Sequence, residues 1–354
     1  MNKIKVAIIG AGNISNTRHI PGLLLQKEFF EIVGVISDES KKIVKTKKKY
    51  KFIQNVFCLD KKKEYFPQLQ ACNWLKQVDA VIIGTPPKQH YPLVKACLLL
   101  EKHVLVEKPM MMNVIECEEV NQLAEERKRV LYVMHSFQFS NGMIRLKQLF
   151  DEKQLGEIKS ILELQLSNRQ RRLPIWYNEL PFGLYYDEAA HFFYGARKFG
   201  GKLKVLNAHA QFNEGNDATP RFLEAQLLSG EIPVQMYMNF NSPICEWGLI
   251  LIGEKKIAIY DYFKDILIIL KNDQQHYAKD VLKTSFSFFF QFWKGFIKNG
   301  LSMVRGTLLY GHDRCLKKFA EAIQMKKRCF ELGGELGKEV VEAMNEVIQY
   351  AKKE

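Results

Sequence analysis

Over residues 1–135, short apolar runs alternate with stretches of helical period, the pattern of a doubly wound parallel sheet. Lys3–Ile9, Ile32–Ile36, Ala80–Ile83, Val104–Val106 and Leu131–Met134 read as strands. Strands of a parallel sheet are covered on both faces, so such runs are apolar throughout. Helical periods fill the intervals, from Ile14 to Gln26, through the lysine-rich stretch after Ile36, up to Glu101, and over Val114–Lys128.

After residue 136 the period changes. A helix near Gly142–Glu152 precedes longer alternating runs at Lys159–Leu166, Phe222–Leu228, Val234–Phe240, Trp247–Ile252, Lys256–Asp261 and Ile266–Leu270. Ser229-Gly230-Glu231 separates two of these runs as a hairpin turn would. Successive strands predict an open, largely antiparallel sheet, and the chain then returns to helices, ending in Glu335–Lys352. At 354 residues the chain exceeds one typical core. The expectation is an α/β domain over 1–135 and an α+β domain over 136–354 that includes the C-terminal helices.

Composition narrows the class. Hydrophobic residues make up 47% and charged residues 26%, ordinary values for a water-soluble globular chain. No run approaches the ~20 apolar residues that span a bilayer. Met1-Asn2-Lys3 leads directly into a strand without an apolar leader pattern, so a cytoplasmic protein is expected. Seven scattered cysteines without a C-x-x-C pair predict reduced thiols and no metal cage. The net charge is +13, and Lys41–Lys51 alone holds seven lysines. No recognition motif accompanies them, so they read as a solvated helix face and not as a nucleic-acid surface. A positive field also suits an anionic cofactor and substrate.

Gly10-Ala11-Gly12-Asn13-Ile14-Ser15 lies between the first strand and first helix. Glycines there permit a tight turn and close backbone approach to a pyrophosphate resting on the helix N-terminus. The second strand ends at Ser37-Asp38. Asp38 facing the ribose favours NAD; Ser37 in that place, with Lys41 or Lys42 beside it, accepts the extra phosphate of NADP. Thr85 and Pro86 close the strand Ala80–Ile83, with Thr85 a candidate contact near the nicotinamide half, and His90 at the next helix start is a ligand contact or a local cap. Val104-Leu105-Val106 runs into Glu107-Lys108-Pro109. Proline excludes the α conformation from the residue before it, so Lys108 is delivered to the strand end on a restrained backbone. Farther along, Asp187 and His191 stand four residues apart ahead of an aromatic helical stretch. On a helix that spacing puts both on one face, where a carboxylate can orient an imidazole for proton exchange.

As a set, these motifs resemble the Gfo/Idh/MocA family of NAD(P)-dependent oxidoreductases. The likeness rests on Ile8–Ile14, on Thr85-Pro86-Pro87 with His90, on Val104–Pro109, and on Asp187-x-x-x-His191, in order across residues 3–270. It implies a Rossmann domain joined to an α+β domain whose open sheet builds homo-oligomers. It also implies that Gly10, Gly12, Asn13 and Ile14 contact the cofactor, that Glu107 either places Lys108 or contacts the cofactor, and that Lys108 and His191 flank a substrate hydroxyl with Asp187 assisting. Two positions depart from the family pattern: its usual glycine two residues after the aspartate is Ala189, and the aspartate often found three residues after the histidine is Tyr194.

The reaction implied is hydride transfer between nicotinamide and a secondary alcohol or ketone of a sugar, cyclitol or nucleotide sugar. Alternatives are transient oxidation serving elimination or hydrolysis, and a non-catalytic NAD(P)-binding sensor. Arg169, Arg172, Trp176 and Tyr194 are candidate substrate contacts, since arginines bind phosphate or carboxylate and aromatics stack on rings. Ser285–Lys298 concentrates six phenylalanines and one tryptophan. Buried packing or a subunit interface is the favoured reading of that segment, with a membrane-surface helix or an active-site lid as alternatives.

Overall fold

The computed structural model describes residues 2–171, 175–213, 218–305 and 308–352. In chain order the first elements are β1 (Ile4–Ile9), α1 (Ile20–Leu25), β2 (Phe30–Ser37), α2 (Ser40–Lys49), β3 (Asn55–Cys58) and α3 (Tyr65–Ala71). Then come β4 (Ala80–Ile83), α4 (His90–Leu99), β5 (His103–Val106), α5 (Val114–Glu126) and β6 (Leu131–Val133). The next stretch holds α6 (Asn141–Asp151), β7 (Ile158–Leu166), α7 (Leu184–Glu188), α8 (Ala190–Gly200), β8 (Leu203–Gln211) and β9 (Phe222–Ser229). The chain finishes with β10 (Ile232–Asn239), β11 (Glu246–Gly253), β12 (Lys256–Asp261), β13 (Ile266–Lys271), α9 (Ala278–Val304), α10 (His312–Met325) and α11 (Gly334–Ala351).

Contacts divide the chain into two compact units, Met1–Ser136 with His312–Glu342, and Phe137–Gly311 with Ala343–Glu354. Residues 312–342, expected with the second domain, thus belong to the first unit.

In the first unit six parallel strands run in the order β3-β2-β1-β4-β5-β6, a Rossmann sheet. Every residue of β4 is buried, as are Val104–Val106 of β5. Each such Val, Ile or Leu contributes roughly 1.5–3 kcal/mol over its exposed state. On α2 only Ile43 and Thr46 turn inward, so its lysines form a solvated face. Two differences from expectation are local. β3 is an additional edge strand, and the first helix opens with a π turn over Ser15–His19 before α1 begins.

The second unit is built on a seven-stranded sheet ordered β13-β12-β11-β7-β10-β9-β8. It is antiparallel except where β7 and β10 run side by side in parallel. The hairpin between β9 and β10 turns at Gly230, whose φ is +57°. Helix α8 packs over this sheet, and Gly195 lets it come close: a Cβ there would lie 2.5 Å from the Tyr262 hydroxyl and 2.9 Å from Glu163 Oε1. Burial pushes the Glu163 carboxyl well above its usual range, while the Tyr262 hydroxyl bonded to it pulls the other way.

Candidate active site

In the first unit the strand order reverses between β1 and β4, where Ile9 pairs with Ile83. Ligands of doubly wound sheets bind beyond the strand ends at this switch point. Gly10 follows β1 with φ +101°, and a Cβ there would stand 2.5 Å from the Gly84 carbonyl oxygen. Both the left-handed backbone and the close approach demand glycine. Gly12 is different, because a Cβ on it would meet no protein atom within 4 Å. Packing does not require glycine there, and the bare backbone leaves room for a pyrophosphate. Asn13 is exposed, Ile14 half-buried, and Ser15 Oγ closes the loop by donating to the Gly10 carbonyl at 2.6 Å.

At the end of β2, Ser37 is 3% exposed and Asp38 half-buried, with its Oδ2 accepting a bond from Gln89 Nε2 at 3.2 Å. Thr85 and Pro86 are half-buried after β4, and the buried Thr85 hydroxyl oxygen has no protein partner. The glycine loop, the Asp38 carboxylate and this unpaired hydroxyl all fit a bound dinucleotide.

His90, read from sequence as a ligand contact or a local cap, is fully buried. Its ring nitrogens face the Pro109 carbonyl at 2.8 Å and the Thr85 carbonyl at 3.0 Å, so it braces one loop against the other. Burial lowers its pKa, against the pull of those two carbonyls. Glu107 likewise faces inward, only 8% exposed. Its Oε1 meets His19 Nε2 at 2.8 Å and His312 Nε2 at 3.8 Å, and its Oε2 accepts from the Lys108 amide at 3.2 Å. Burial alone would raise this carboxyl, but His19 and His312 hold it well below the usual range. Of the two roles open to Glu107, these bonds fit the placing of Lys108, from whose amide it accepts. Lys108 itself is half-buried, and its peptide bond to Pro109 is cis.

In the second unit Asp187 and His191 lie on two helices, α7 and α8, joined through Ala189. Ala189 keeps helical dihedrals (φ −61°, ψ −30°), so the two short helices follow on almost continuously. Gly183 (φ +55°) starts α7, where the Leu184 amide donates to Thr219 Oγ1 at 3.1 Å. His191 is 8% exposed, and its Nδ1 lies 2.6 Å from the Tyr194 hydroxyl. Phe137 meets the imidazole edge-on at 4.8 Å between centroids, and Trp247 tilts against it at 5.5 Å. Tyr194 is fully buried and also accepts from the Phe137 amide at 3.3 Å. Its hydroxyl thus braces the His191 ring from inside the unit.

Among the arginines, Arg169 is exposed and donates to the Phe240 carbonyl at 3.3 Å, whereas Arg172 lies outside the described residues. Trp176 sits half-buried on a 3-10 turn. Arg171, which the sequence did not distinguish from its neighbours, pairs with Glu188, and Glu188 is also bonded by Gln165 and Ser167. Burial lowers the Arg171 pKa, against the attraction of Cys245 and Asp187. His19 and His312 were missed as well. Their partner is Glu107, 88 residues from one and about 200 from the other, and no spacing rule links such positions.

The family described as "Oxidoreductase family, NAD-binding Rossmann fold" (Gfo/Idh/MocA) matches residues 4–135. Over those residues the chain is similar to this family of NAD-binding oxidoreductases. It is 28% identical over 225 residues to the uncharacterized oxidoreductase YdgJ of Escherichia coli strain K12, covering 62% of this chain and 61% of YdgJ. It is 24% identical over 248 residues to the scyllo-inositol 2-dehydrogenase (NADP(+)) IolW of Bacillus subtilis strain 168, covering 67% of this chain and 63% of IolW. The chain thus spans about six-tenths of the length of these two curated relatives. Among solved structures, the WlbA dehydrogenase of Bordetella pertussis, in complex with NADH and UDP-GlcNAcA, superposes with TM-score 0.78 at 14% identity over 99% of this chain and 96% of WlbA. That likeness is one of fold.

Proposed function

We propose that the protein is a nicotinamide-dependent dehydrogenase or reductase acting on a secondary hydroxyl of a sugar, cyclitol or nucleotide sugar. The observation that carries this reading is the glycine loop, shaped for a dinucleotide by Gly10 and Gly12, in one chain with Lys108 and a histidine held by Tyr194. The substrate class is supported by IolW, whose name specifies an inositol, and by WlbA, which was solved with a nucleotide sugar. Asp38 supports NAD over NADP, because its carboxylate follows the strand end while Ser37 is turned into the protein.

Bound nicotinamide supplies hydride acceptance or donation. The proton work falls to the chain. In oxidation His191 takes the hydroxyl proton at Nε2, with Nδ1 engaged by the Tyr194 hydroxyl at 2.6 Å. Lys108 stabilises the developing alkoxide by its charge and N–H groups. Asp187, beside Arg171, assists in orienting the site.

The test is a substrate panel of sugars, inositols and nucleotide sugars assayed with both cofactors. On the best substrate, His191→Ala and Lys108→Ala should each lower kcat by roughly 10²–10⁴. NADH binding, followed by fluorescence titration, should change little. Wild-type turnover in both variants would sink the assignment.

A further inference from the structure

Helix α9 rests on the second unit's sheet by one polar side. β13 is the last strand in the sheet order, so one of its edges lacks a strand partner. Gln291 fills that edge, donating from Nε2 to the Ile269 carbonyl and accepting from the Ile269 amide through Oε1, both at 2.9 Å. Two turns on, Asn299 Nδ2 donates to the Lys264 and Asp265 carbonyls, each at 2.7 Å. Between them Gly295 lies against Ile266, where a Cβ would stand 3.1 Å away. These contacts fix which side of α9 faces the protein.

The other side carries a stripe at spacings of three and four: Leu282, Phe286, Phe289, Trp293, Ile297 and Leu301. They are exposed by 59%, 60%, 53%, 44%, 59% and 52%, so among the described residues nothing buries the stripe. Lys283, Lys294 and Lys298 each follow a stripe residue directly, which puts them on one flank of it. All three are exposed, and the helix holds a single acid, Asp280. Among the described residues no helix is long and apolar enough to cross a membrane. An aromatic stripe with lysines along one edge has the composition of a helix that lies in a lipid interface, with rings among the acyl chains and ammonium groups at the phosphates. Self-association fits less well, because two copies paired antiparallel through this stripe would oppose lysine to lysine.

We infer that α9 docks the protein on an anionic lipid surface, lying parallel to the bilayer with the Phe286–Phe289–Trp293–Ile297 stripe inserted. The partner is the membrane itself. The lysine flank supplies the preference for negative charge.

Full-length protein incubated with vesicles of phosphatidylcholine alone, or with one-third phosphatidylglycerol, should co-sediment with the anionic vesicles only. Phe289→Glu with Trp293→Glu should abolish binding while leaving the melting transition and NADH titration unchanged. Each of Lys283→Gln, Lys294→Gln and Lys298→Gln should weaken it roughly five-fold at low salt. Three results would overturn the inference: no binding to anionic vesicles, equal binding to both kinds, or full binding by the double variant. A lipid-free dimer in sedimentation velocity that the double variant dissociates would also overturn it, assigning the stripe to a second copy.

Discussion

A hydroxyl stands behind the His191 ring where the family pattern often carries a carboxylate, and the Tyr194 ring that bears it is fully buried. Phenylalanine keeps that ring and removes the bond. Tyr194→Phe should lower kcat about 3–10-fold, the worth of one hydrogen bond of about 0.5–1.5 kcal/mol. KM for nicotinamide should stay put, since the cofactor loop lies on other elements; an unchanged kcat would show that the hydroxyl does not position His191. The variant also strips the Phe137 amide of its acceptor, so melting should fall by the equivalent of roughly 1–3 kcal/mol. A second buried histidine acts on stability instead. Burial holds His135 down to about 4 from an ordinary value of 6.5, against the pull of the Glu331 carbonyl. Its folded pKa is depressed, so the unfolded chain takes up the proton first as pH falls. The stability it contributes is complete above about pH 6.5 and drains away toward pH 4. Between pH 7 and pH 5 the loss should be about 2 kcal/mol. Thermal melts across that window should fall steeply for wild type and less for His135→Gln, which removes one titrating group. Equal slopes would refute the assignment.

Elements were legible where one force dominates them. β1, β4 and β5 are buried runs with glycine or proline just past their ends, and sequence periodicity finds such strands within a residue or two. β3 was invisible because its burial alternates over only four residues at a sheet edge, next to lysine-rich sequence. The π turn over Ser15–His19 shares its residue types with an ordinary helix start. Its consequence is chemical, since it carries His19 to 2.8 Å from Glu107. Asp187 and His191 illustrate a milder difference. Their spacing predicts one helical face, and the near-continuous backbone at Ala189 preserves that relation although two helices are involved. The residues of α9 were plain as an aromatic cluster, but composition cannot say which side meets the protein. Gln291 decides it through the unpaired edge of β13, with Gly295 against Ile266 and Asn299 on the loop before that strand.

For the molecule as a whole, the first unit is completed by chain that arrives from the far end of the sequence. A helix after an open sheet reads as the end of its own domain, and nothing local in His312–Glu342 announces otherwise. The contacts are nonetheless those of a core. Leu316 fills the space beside Gly22, where a Cβ would come within 2.7 Å of it, and Phe319 lies 6.1 Å from the Tyr132 ring. Gly337 allows α11 to settle on Met110 and Val133, and Val341 is wholly buried in the cluster with β4 and β5. His312 also reaches Glu107, beneath Lys108. A fragment of residues 1–136 therefore exposes the apolar surface that Leu316, Phe319, Leu336, Val340 and Val341 cover, several buried side chains at roughly 1.5–3 kcal/mol each. That loss is comparable to the whole stability of a domain, about 5–15 kcal/mol. The fragment alone should show no cooperative melting transition and no NADH binding. Joined by a flexible linker to residues 308–342, it should regain both. Cooperative unfolding and NADH binding by 1–136 alone would show that the C-terminal segment is an accessory, and that Glu107 holds its place through His19 without His312.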